Sequence, residues 1–459
     1  MAAIKTMRNF LRRLEQRGDL VRVKRKVSPL FEQTTILKKV MDASGKTVLF
    51  ENVGYGNFKI VGNIYGGRNK FATLFDVPEL EIRPHFEKLL RRKPISPRII
   101  KHAPVQEVVH LGKPNIPNLL PVPFQYEKDR SRYITAGLIV ARDPDTGINN
   151  VSFARLMVHG VNILGIQIVP RMDLDSIYQH AQARNQPLEV AAVIGGNPWF
   201  FLAASTHIPL NVDEYDFAGG LRGEALNLIS CKTVNLAVPS DAEIIIEGQI
   251  PPGVLRPEGP MGEVHGYYGT EFPKPIIEVS AITHRRDPIF HTILSGTIEE
   301  HAPLALPIEA TILKAMRRIH KGVRDINLMP SLYRCVASVR NLPDDGIAEK
   351  LLRAMLGHPW VFLAILVNDD IDIHNHQDVL WAITTRTNPE ADIFIEQFPT
   401  DTKTDDRGIP PTPVKRPLNG QRYRTGINAA IERRTTKNFV RSRAKDYHLL
   451  NLKRYLAGA

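Results

Sequence analysis

The stretch that decides the fold is Tyr133–Val169, YITAGLIVARDPDTGINNVSFARLMVHGVNILGIQIV. Its apolar runs, at 135–140, 151–158 and 163–169, are separated by turns rich in Gly, Asp and Asn. Short runs of this kind bounded by turn residues predict β-strands. The pattern recurs in four later runs, at 188–194, 234–238, 242–247 and 276–282. With one helix predicted at 174–183, this part of the chain is expected to be mostly β and barrel-like.

Helices and strands are predicted on both sides of this region. Met7, Phe10, Leu11 and Leu14 follow helical spacing, and Gly18 ends that helix. The other predicted helices are 34–41, 84–92, 307–319, 348–356 and 378–384, and the other strands are 20–27, 47–52, 328–338 and 360–367. Residues 399–419 are Pro-rich and charged, which indicates a loop.

The pattern therefore predicts an α/β (α+β) protein in three parts. These are an N-terminal α/β region (1–112), a central β domain (113–304), and a linker helix with a C-terminal α/β domain and basic tail (305–459).

Composition excludes several classes of protein. Of 459 residues, 43% are hydrophobic and 24% charged, which is typical of a globular chain and excludes disorder. No apolar run is long enough to predict a membrane span, and no secretory signal is evident. Two cysteines, Cys231 and Cys335, exclude a disulfide scaffold or a Cys-rich metal site and suit a reducing cytoplasm.

The net charge of +12 is concentrated at the two ends of the chain. Residues 420–459 contain ten Lys and Arg against Glu432 and Asp446. Because apolar residues alternate with these charges at helical spacing, a solvated or subunit-contacting surface is the favoured interpretation, and nucleic-acid binding is unlikely. We expect the tail to reach a neighbouring subunit.

Standard cofactor and hydrolase motifs are missing from the sequence. It contains no G-x-G-x-x-G, P-loop, G-x-S-x-G or H-E-x-x-H. Nicotinamide, ATP and serine-hydrolase chemistries are therefore disfavoured.

Three segments carry candidate chemistry. The first, residues 255–269, places Glu258 and Glu263 around glycines and a proline, where neighbouring carboxylates can act as base and acid. The second carries Arg155 in an apolar strand, where it needs a carboxylate partner or an anionic ligand. The third, around Glu214, is rich in acids. Taken singly, each also fits an ordinary feature: a solvated turn, an outward-facing arginine, or a helix N-terminus.

Together, the three segments resemble the UbiD-like decarboxylase family. The shared patterns are N-x-x-x-x-R (Asn150 to Arg155), P-x-x-x-x-E-Y-x-x-A-G-x-x-x-G-E (Pro209 to Glu224) and E-G-P-x-G-E-x-H-G (Glu258 to Gly266). The resemblance covers nearly the whole chain and is weakest after Thr384. It implies a central split β-barrel flavin domain and a C-terminal domain that drives dimer or hexamer formation.

The resemblance also implies a reaction, the reversible decarboxylation of aromatic or α,β-unsaturated acids with prenylated FMN. Losing CO2 from an sp2 carbon leaves a lone pair without delocalisation, and no side chain supplies the missing electron sink. The implied partners are a small carboxylic acid, CO2 and a flavin prenyltransferase that supplies the cofactor.

The resemblance assigns roles to individual residues. Arg155 would bind the substrate carboxylate and pair with Glu258, and Glu263 would protonate the reacting carbon. Asn150 and Glu214 would bind Mn2+ or Mg2+, and carbonyls near Ser205 and Thr206 would bind K+. The flavin would lie along the backbone of Ser152, Phe153, Ala154 and Arg155. Lys403 is a weak candidate for contacting its phosphate.

One position departs from the family pattern. Met172 stands where the family has a metal-binding His, and a thioether is a poor ligand for Mn2+ or Mg2+. Either the metal site is weakened, or Asp173 substitutes, or Arg171 neutralises the phosphate. The alternative function is a catalytically silent relative that serves as a binding or assembly subunit. Residues 299–301, Glu-Glu-His, are interpreted as turn or surface positions.

Overall fold

The computed structural model describes residues 4–209, 212–398, 422–432, 439, 441 and 442. Its strands, in chain order, are β1 (Leu20–Val23), β2 (Thr47–Phe50), β3 (Lys59–Gly62), β4 (Arg98–Ile100), β5 (Val108–Leu111), β6 (Tyr133–Ile134), β7 (Leu138–Arg142), β8 (Asn149–Phe153), β9 (Leu156–Val158), β10 (Ile163–Ile166), β11 (Leu188–Ile194), β12 (Asn227–Ser230), β13 (Ala237–Pro239), β14 (Ile244–Ile250), β15 (Leu255–Glu258), β16 (Phe272–His284), β17 (Ile289–His291), β18 (Val323–Asn327), β19 (Arg334–Val339), β20 (Leu363–Asn368), β21 (Ile393–Phe398) and β22 (Arg422–Ala429).

The α-helices alternate with these strands along the chain. They are α1 (Met7–Gln16), α2 (Glu32–Ser44), α3 (Arg68–Phe75), α4 (Ile82–Leu89), α5 (Ile116–Leu119), α6 (Asp173–Ala183), α7 (Pro198–Ala204), α8 (Glu214–Arg222), α9 (Ile298–Ile319), α10 (Asp345–Leu356), α11 (His376–Arg386) and α12 (Pro389–Asp392). Of the helices in the described ranges, none is both long and apolar enough to cross a membrane.

The described residues form two compact units. The first runs to Thr311 and includes Leu328–Tyr333, and the second comprises Ile312–Asn327, Arg334–Glu396 and the described residues from Arg424 onward. The mixed α/β class predicted from the sequence is confirmed. The boundaries of the three predicted parts stay a prediction.

The first unit begins with the predicted amphipathic helix. The Thr6 side chain caps α1 by accepting a hydrogen bond from the Asn9 amide at 3.1 Å. The buried face is Met7, Phe10, Leu11, Arg13 and Leu14. The first sheet has the order β1-β2-β3-β17, so a strand from 289–291 completes the sheet that the N-terminal strands begin.

A second sheet of ten strands forms the centre of this unit. Its main path is β6-β9-β10-β16-β14-β11-β7-β8, and β5 and β15 pair with β16. Strands β8 and β9 lie at or next to opposite ends of the path, yet only Ala154 and Arg155 separate them in the chain. Three peptide steps span at most about 11 Å, so the sheet must curl until its two ends nearly meet. The result is a barrel split at residues 154–155.

The backbone hydrogen bonds place the split at the same point. The Ala154 amide donates to Gly137 O, next to β7, while Arg155 O accepts from the Gln167 amide, next to β10. Adjacent residues therefore belong to opposite ends of the sheet path. The Val- and Ile-rich interior strands are buried on both faces, as at β11 and β14, and form the main core.

The second unit is a five-stranded sheet with the order β18-β19-β20-β22-β21. Strands β19, β20 and β22 are parallel, and β18 is antiparallel to β19. Helix α10 connects β19 to β20 and buries Leu351, Leu352 and Met355, and it packs on β20. This is the α/β organisation predicted for the end of the chain.

Some predicted elements were wrong at their ends. Residues 328–333 are not a strand, and in the run at 234–238 only Ala237 and Val238 belong to one. Helix α9 begins at Ile298, nine residues before the predicted start at Pro307. Pro307 lies inside α9, where its missing N–H leaves one backbone hydrogen bond unmade. The predicted loop at 399–419, Lys403 and most of the basic tail lie outside the described residues.

Candidate active site

The structure brings Arg155, Glu258 and Glu263 into direct contact. Arg155 Nε and Nη2 donate to the two carboxylate oxygens of Glu258 at 2.9 and 2.8 Å. Arg155 Nη1 donates to Glu263 Oε1 at 2.6 Å. The Glu258 pair is bidentate, the strongest and most directional arrangement available to a guanidinium and a carboxylate.

All three side chains are largely removed from solvent. Glu258 is 1% exposed and Glu263 8%. Burial by itself lowers the pKa of Arg155, but the charges of Glu258 and Glu263 outweigh that effect and raise it. Arg155 is therefore a permanent cation that offers its hydrogen bonds to anions inside the protein.

Glu258 is positioned by strand pairing. It is the last residue of β15 and lies opposite Phe272, the first residue of β16. The chain then turns at Gly259, which has φ +88°, and a Cβ there would lie 2.8 Å from Thr270 O. Both the conformation and the close approach require glycine, which explains why a glycine follows this acid.

Glu263 lies in a turn fixed by its own backbone. The Glu263 amide donates to Tyr267 O, and the Gly269 amide donates to Met261 O, both at 2.8 Å. Two glycines of this turn pack closely against neighbouring side chains. A Cβ at Gly262 would lie 2.5 Å from the ring of Tyr126, and one at Gly269 would lie 2.3 Å from Glu263 Oε1.

Asp129 ties this turn to the preceding segment. Its carboxylate accepts from the Gly262 amide at 2.9 Å and from the Tyr126 amide at 3.0 Å. Burial raises the pKa of Asp129, while the two backbone hydrogen bonds act in the opposite direction. This turn, residues 261–269, is called the acid turn below. It is held by Asp129 as well as by its own backbone hydrogen bonds.

A hydrogen-bonded pair of an amide and an acid, Asn150 and Glu214, lies on β8 and α8. Asn150 Nδ2 donates to Glu214 Oε1 at 2.9 Å, and both residues are buried. Burial raises the pKa of Glu214 to about 8, the Asn150 hydrogen bond opposes this, and the charge of Asp173 raises it further. Asp173 therefore lies close enough to Glu214 to interact with it, and burial also raises the pKa of Asp173, whereas His207 lowers it.

The residue at the departure from the family pattern lies next to these acids. Met172 is the N-cap residue of α6 and is 48% exposed. Arg171 has φ +61°, and its amide donates to the carboxylate of Asp175 at 2.8 Å. The buried oxygen atoms that could bind a cation in this region therefore belong to Asn150 and Glu214, and Asp173 adds a half-buried carboxylate.

Strand β8 carries the other predicted binding residues. Among the described strands β8 pairs only with β7, so half of its backbone groups face the split. Ser152 and Phe153 are half-buried there, and Ala154 is buried. Phe153 packs edge-on against Phe201 of α7 with ring centroids 4.7 Å apart, and Ser205 ends that helix.

The structure adds residues that sequence reasoning missed. Lys274 on β16 is near Glu258 and Arg155, and burial lowers its pKa. Glu300, assigned to a turn or surface position, is half-buried near Glu263. Glu299, similarly assigned, is fully buried, and its carboxylate accepts from the Asn63 and Ile64 amides at 2.5 Å. No local pattern could have found them, because their neighbours come from distant segments.

A cleft of about 640 Å³ lies elsewhere in the first unit. It is lined by residues 54–58, 117–119, His284 and Arg286. His284 ends β16, whereas Glu258 pairs with Phe272 at the start of that strand, roughly 40 Å away along the strand. This cleft contains none of the predicted site residues.

Comparison with known proteins agrees with the resemblance. The sequence matches three family models of the 3-octaprenyl-4-hydroxybenzoate carboxy-lyase: the N-terminal domain at residues 11–90, the Rift-related domain at 98–298 and the C-terminal domain at 301–406. An uncharacterized protein of Archaeoglobus fulgidus is 31% identical over 437 residues, covering 89% of this chain and 90% of its own.

Solved structures extend the similarity to three dimensions. The UbiD-class enzyme HmfF from Pelotomaculum thermopropionicum in complex with FMN is 33% identical, with a TM-score of 0.91, covering 98% of this chain and 100% of its own. An evolved dimeric form of that enzyme was solved with prFMN and has a TM-score of 0.87. Vanillic acid decarboxylase of Sedimentibacter hydroxybenzoicus is 26% identical, with a TM-score of 0.83, covering 97% of this chain and 96% of its own.

The fold and the comparisons define a carboxy-lyase, and the chain belongs to the UbiD family. It is therefore an enzyme of the decarboxylase class.

Proposed function

We propose that this enzyme catalyses the reversible, non-oxidative decarboxylation of an aromatic or α,β-unsaturated carboxylic acid with prenylated FMN. The observation that carries the proposal is the half-buried Arg155, which bonds Glu258 through two of its nitrogens and Glu263 through the third. The vanillic acid relative and the prFMN-bound HmfF structure support the substrate class and the cofactor.

The chain's residues fit this cofactor. The free edge of β8 offers backbone donors and acceptors to a flat heterocycle, with Ser152, Phe153 and Ala154 beside it. When bound, prenylated FMN supplies the electron sink that carbon–CO2 cleavage requires. Arg171 is positioned to approach the phosphate end if it lies toward α6.

Arg155 and Glu258 act on the substrate carboxylate. Glu258 uses Nε and Nη2 of Arg155, which leaves Nη1, now on Glu263, as the guanidinium nitrogen that can turn to an incoming carboxylate. Glu258 therefore orients the cation, and the cation anchors the substrate. Exchange of one carboxylate for another at Nη1 would release Glu263 for its own step.

Glu263 serves as the general acid. Its carboxyl group gives a proton to the substrate carbon after CO2 leaves and takes one in the reverse direction. Gly269 keeps the space beside this side chain clear, because a Cβ there would lie 2.3 Å from Glu263 Oε1.

A divalent cation fits the pair on β8 and α8. Asn150 Oδ1 and the Glu214 carboxylate belong to buried residues and are the kind of oxygen ligand that Mn2+ and Mg2+ prefer. Asn150 now directs Nδ2 at Glu214 and accepts from Ser152 through Oδ1, so its amide would turn over to bind a cation. We assign the third protein ligand to Asp173 because its charge acts on Glu214, whereas Met172 offers only a thioether. Carbonyls at the C-terminal end of α7, near Ser205 and Thr206, suit K+.

The metal assignment has its own test. Metal analysis of flavin-loaded Met172→His and Asp173→Asn proteins should show retention in the first and loss of divalent ion in the second. One tightly held ion per flavin in both would contradict the role of Asp173.

The finer partners remain part of the proposal. They are CO2, a flavin prenyltransferase that supplies the cofactor, and a second copy of this chain in a dimer or hexamer. A catalytically silent binding subunit is the alternative function. The presence of Arg155, Glu258 and Glu263 favours the enzyme over this alternative.

The experiment is co-production with a flavin prenyltransferase, followed by mass spectrometry of the bound flavin. CO2 release is then screened across aryl, heteroaryl and unsaturated acids, with deuterium exchange at the reacting carbon.

Glu263→Gln should retain flavin yet lose turnover and exchange, because an amide cannot donate a carboxylic proton. Arg155→Ala should lose activity, and Glu278→Gln, an exposed acid on β16, is the matched control. Flavin binding with no turnover of any acid would favour the silent subunit.

A further inference from the structure

Decarboxylation consumes one proton per turnover. The substrate carboxylate loses CO2, the carbon gains a proton from Glu263, and Glu263 is left as a carboxylate that must be reprotonated. Glu263 is 8% exposed and Glu258 1%. Buried this deeply, Glu263 needs a route by which protons reach it.

Glu300 lies next to Glu263, in the first turn of α9. Its carboxylate accepts from the Gly296 amide at 2.7 Å and from Ser295 Oγ at 3.2 Å. Gly296 also packs on the acid turn, since a Cβ there would lie 3.1 Å from Glu263 O and 3.2 Å from Gly266 Cα. One glycine therefore separates the Glu300 carboxylate from the backbone of Glu263.

A second contact joins Glu300 to the same turn. Tyr126 Oη donates to Ser295 O at 2.5 Å, and the Tyr126 ring packs against Gly262. Asp129 binds the amides of both Tyr126 and Gly262. Glu300, Tyr126, Asp129 and Glu263 thus form one connected cluster.

This cluster holds more acidic than basic groups. Glu258, Glu263, Asp129 and Glu300 are four carboxyl groups, and Arg155 is the guanidinium bonded to two of them. Lys274, nearby, adds at most one further positive charge, and burial lowers its pKa. Burial raises the pKa of Glu300, with the charge of Glu263 acting in the same direction, and burial also raises the pKa of Asp129, so these two carboxyl groups hold protons more readily than exposed ones do.

We propose that Glu300 is the residue that returns a proton to Glu263 after each turnover. The inference rests on the proposed decarboxylase function. Protonated Glu300 gives up its O–H proton, the Glu263 carboxylate gains a proton to form its own O–H bond, and Glu300 then takes a proton from water or a buffer acid. Charge and atoms balance, and no other reactant is needed.

Two properties suit Glu300 to this step. As a residue it is half-buried, whereas Glu263 and Glu258 are buried. Burial raises the pKa of Glu300 to about 7, opposed by the Gly296 hydrogen bond and assisted by the charge of Glu263. A carboxyl group that titrates near neutral pH can accept and release a proton with little loss of driving force.

The groups around Glu300 come from several segments. They are Glu263 in the acid turn, Arg155 at the split, Tyr126 and Asp129 in the preceding loop, and His301 on α9 itself. Burial lowers the pKa of His301 to about 4, so it is neutral in the pH range of interest.

The test compares flavin-loaded wild-type, Glu300→Gln and Glu300→Asp proteins in turnover and in deuterium exchange. Glutamine keeps an oxygen acceptor for Gly296 and Ser295, so the fold should survive, which thermal melting checks. We expect Glu300→Gln to lose tenfold or more in kcat, with little change in KM. Added acetate or imidazole should restore the rate in a saturable way, and Glu300→Asp should retain part of it without rescue.

The outcomes separate this inference from the proposed function. An active wild-type protein whose Glu300→Gln variant keeps its kcat, or loses it without rescue by small acids, would overturn the relay and leave the decarboxylase assignment standing. A flavin-loaded wild-type protein that neither releases CO2 nor exchanges deuterium with any acid would overturn both.

Discussion

Replacing Gly269 with alanine should displace the acid without unfolding the protein. An alanine Cβ at this position would lie 2.3 Å from Glu263 Oε1, whereas ordinary contacts begin at 3.4 Å, so the oxygen must retreat by about 1 Å. Gly269 does not have a positive φ, and its backbone accepts alanine. The substitution therefore acts on the Glu263 side chain, whose Cδ and Cγ, each 3.0 Å from the added Cβ, would also have to shift slightly.

The expected magnitude follows from that displacement. A misplacement of about 1 Å in a reacting group can cost roughly 100-fold in rate, or about 2.7 kcal/mol of activation free energy. Alanine in a compatible glycine position also stabilises the fold by about 0.4–1 kcal/mol through the unfolded state, which offsets the local crowding. We expect kcat to fall about 100-fold and the melting temperature to change little.

The assay measures CO2 release and deuterium exchange with the best acid found in the panel, together with thermal melting. Gly160→Ala is the matched control because a Cβ there meets nothing within 4 Å and its φ is ordinary. A Gly269→Ala enzyme with wild-type kcat would refute the placement of Glu263 as the acid, and an equal loss in Gly160→Ala would refute the steric argument.

Three further predictions address charge and burial. Arg155→Ala leaves Glu258 buried without its cation and should lower the free energy of unfolding by roughly 3–5 kcal/mol in urea titrations, and a loss below 1 kcal/mol would contradict the ion-pair account. Glu214→Gln keeps an acceptor for Asn150 but cannot ionise to bind a cation, so flavin-loaded protein should melt normally yet lose divalent metal in elemental analysis; full retention would exclude Glu214 as a ligand. Burial lowers the pKa of Lys70 to about 8, against 10.5 in the unfolded chain, so the unfolded state binds more protons between these two pH values. The free energy of unfolding should therefore rise with pH by up to roughly 3 kcal/mol. Urea titrations from pH 7.5 to 10.5 should show this rise in the wild-type protein and not in Lys70→Met.

Local patterns predicted the elements well where one periodicity dominated. The strand at 188–194 was predicted with its exact bounds, because it is apolar on both faces and ends in Gly195-Gly196. Helix α1 followed from four apolar positions and a glycine stop. Helix α9 was predicted too short, because prolines that normally begin a helix lie inside it.

The candidate site was predictable only in part, for a physical reason. Arg155, Glu258 and Glu263 were found through a spaced motif, and the structure brings them together. Glu300 and Asp129 depend on folding to meet the acid turn, and Lys274 resembles any other charge in an exposed strand. The spacing of residues along the sequence does not show which side chains from distant segments come into contact.

The two-residue link between β8 and β9 has a mechanical consequence. Arg155 is one of only two residues in this link. The two ends of the sheet therefore cannot move apart without pulling the Arg155 guanidinium away from Glu258 and Glu263. One extra residue in this link would move the guanidinium by about 3.3 Å, more than the length of a hydrogen bond. Insertions and deletions among relatives should therefore be rare between β8 and β9 and common in loops elsewhere. A one-residue insertion in this link should leave the barrel folded but abolish catalysis.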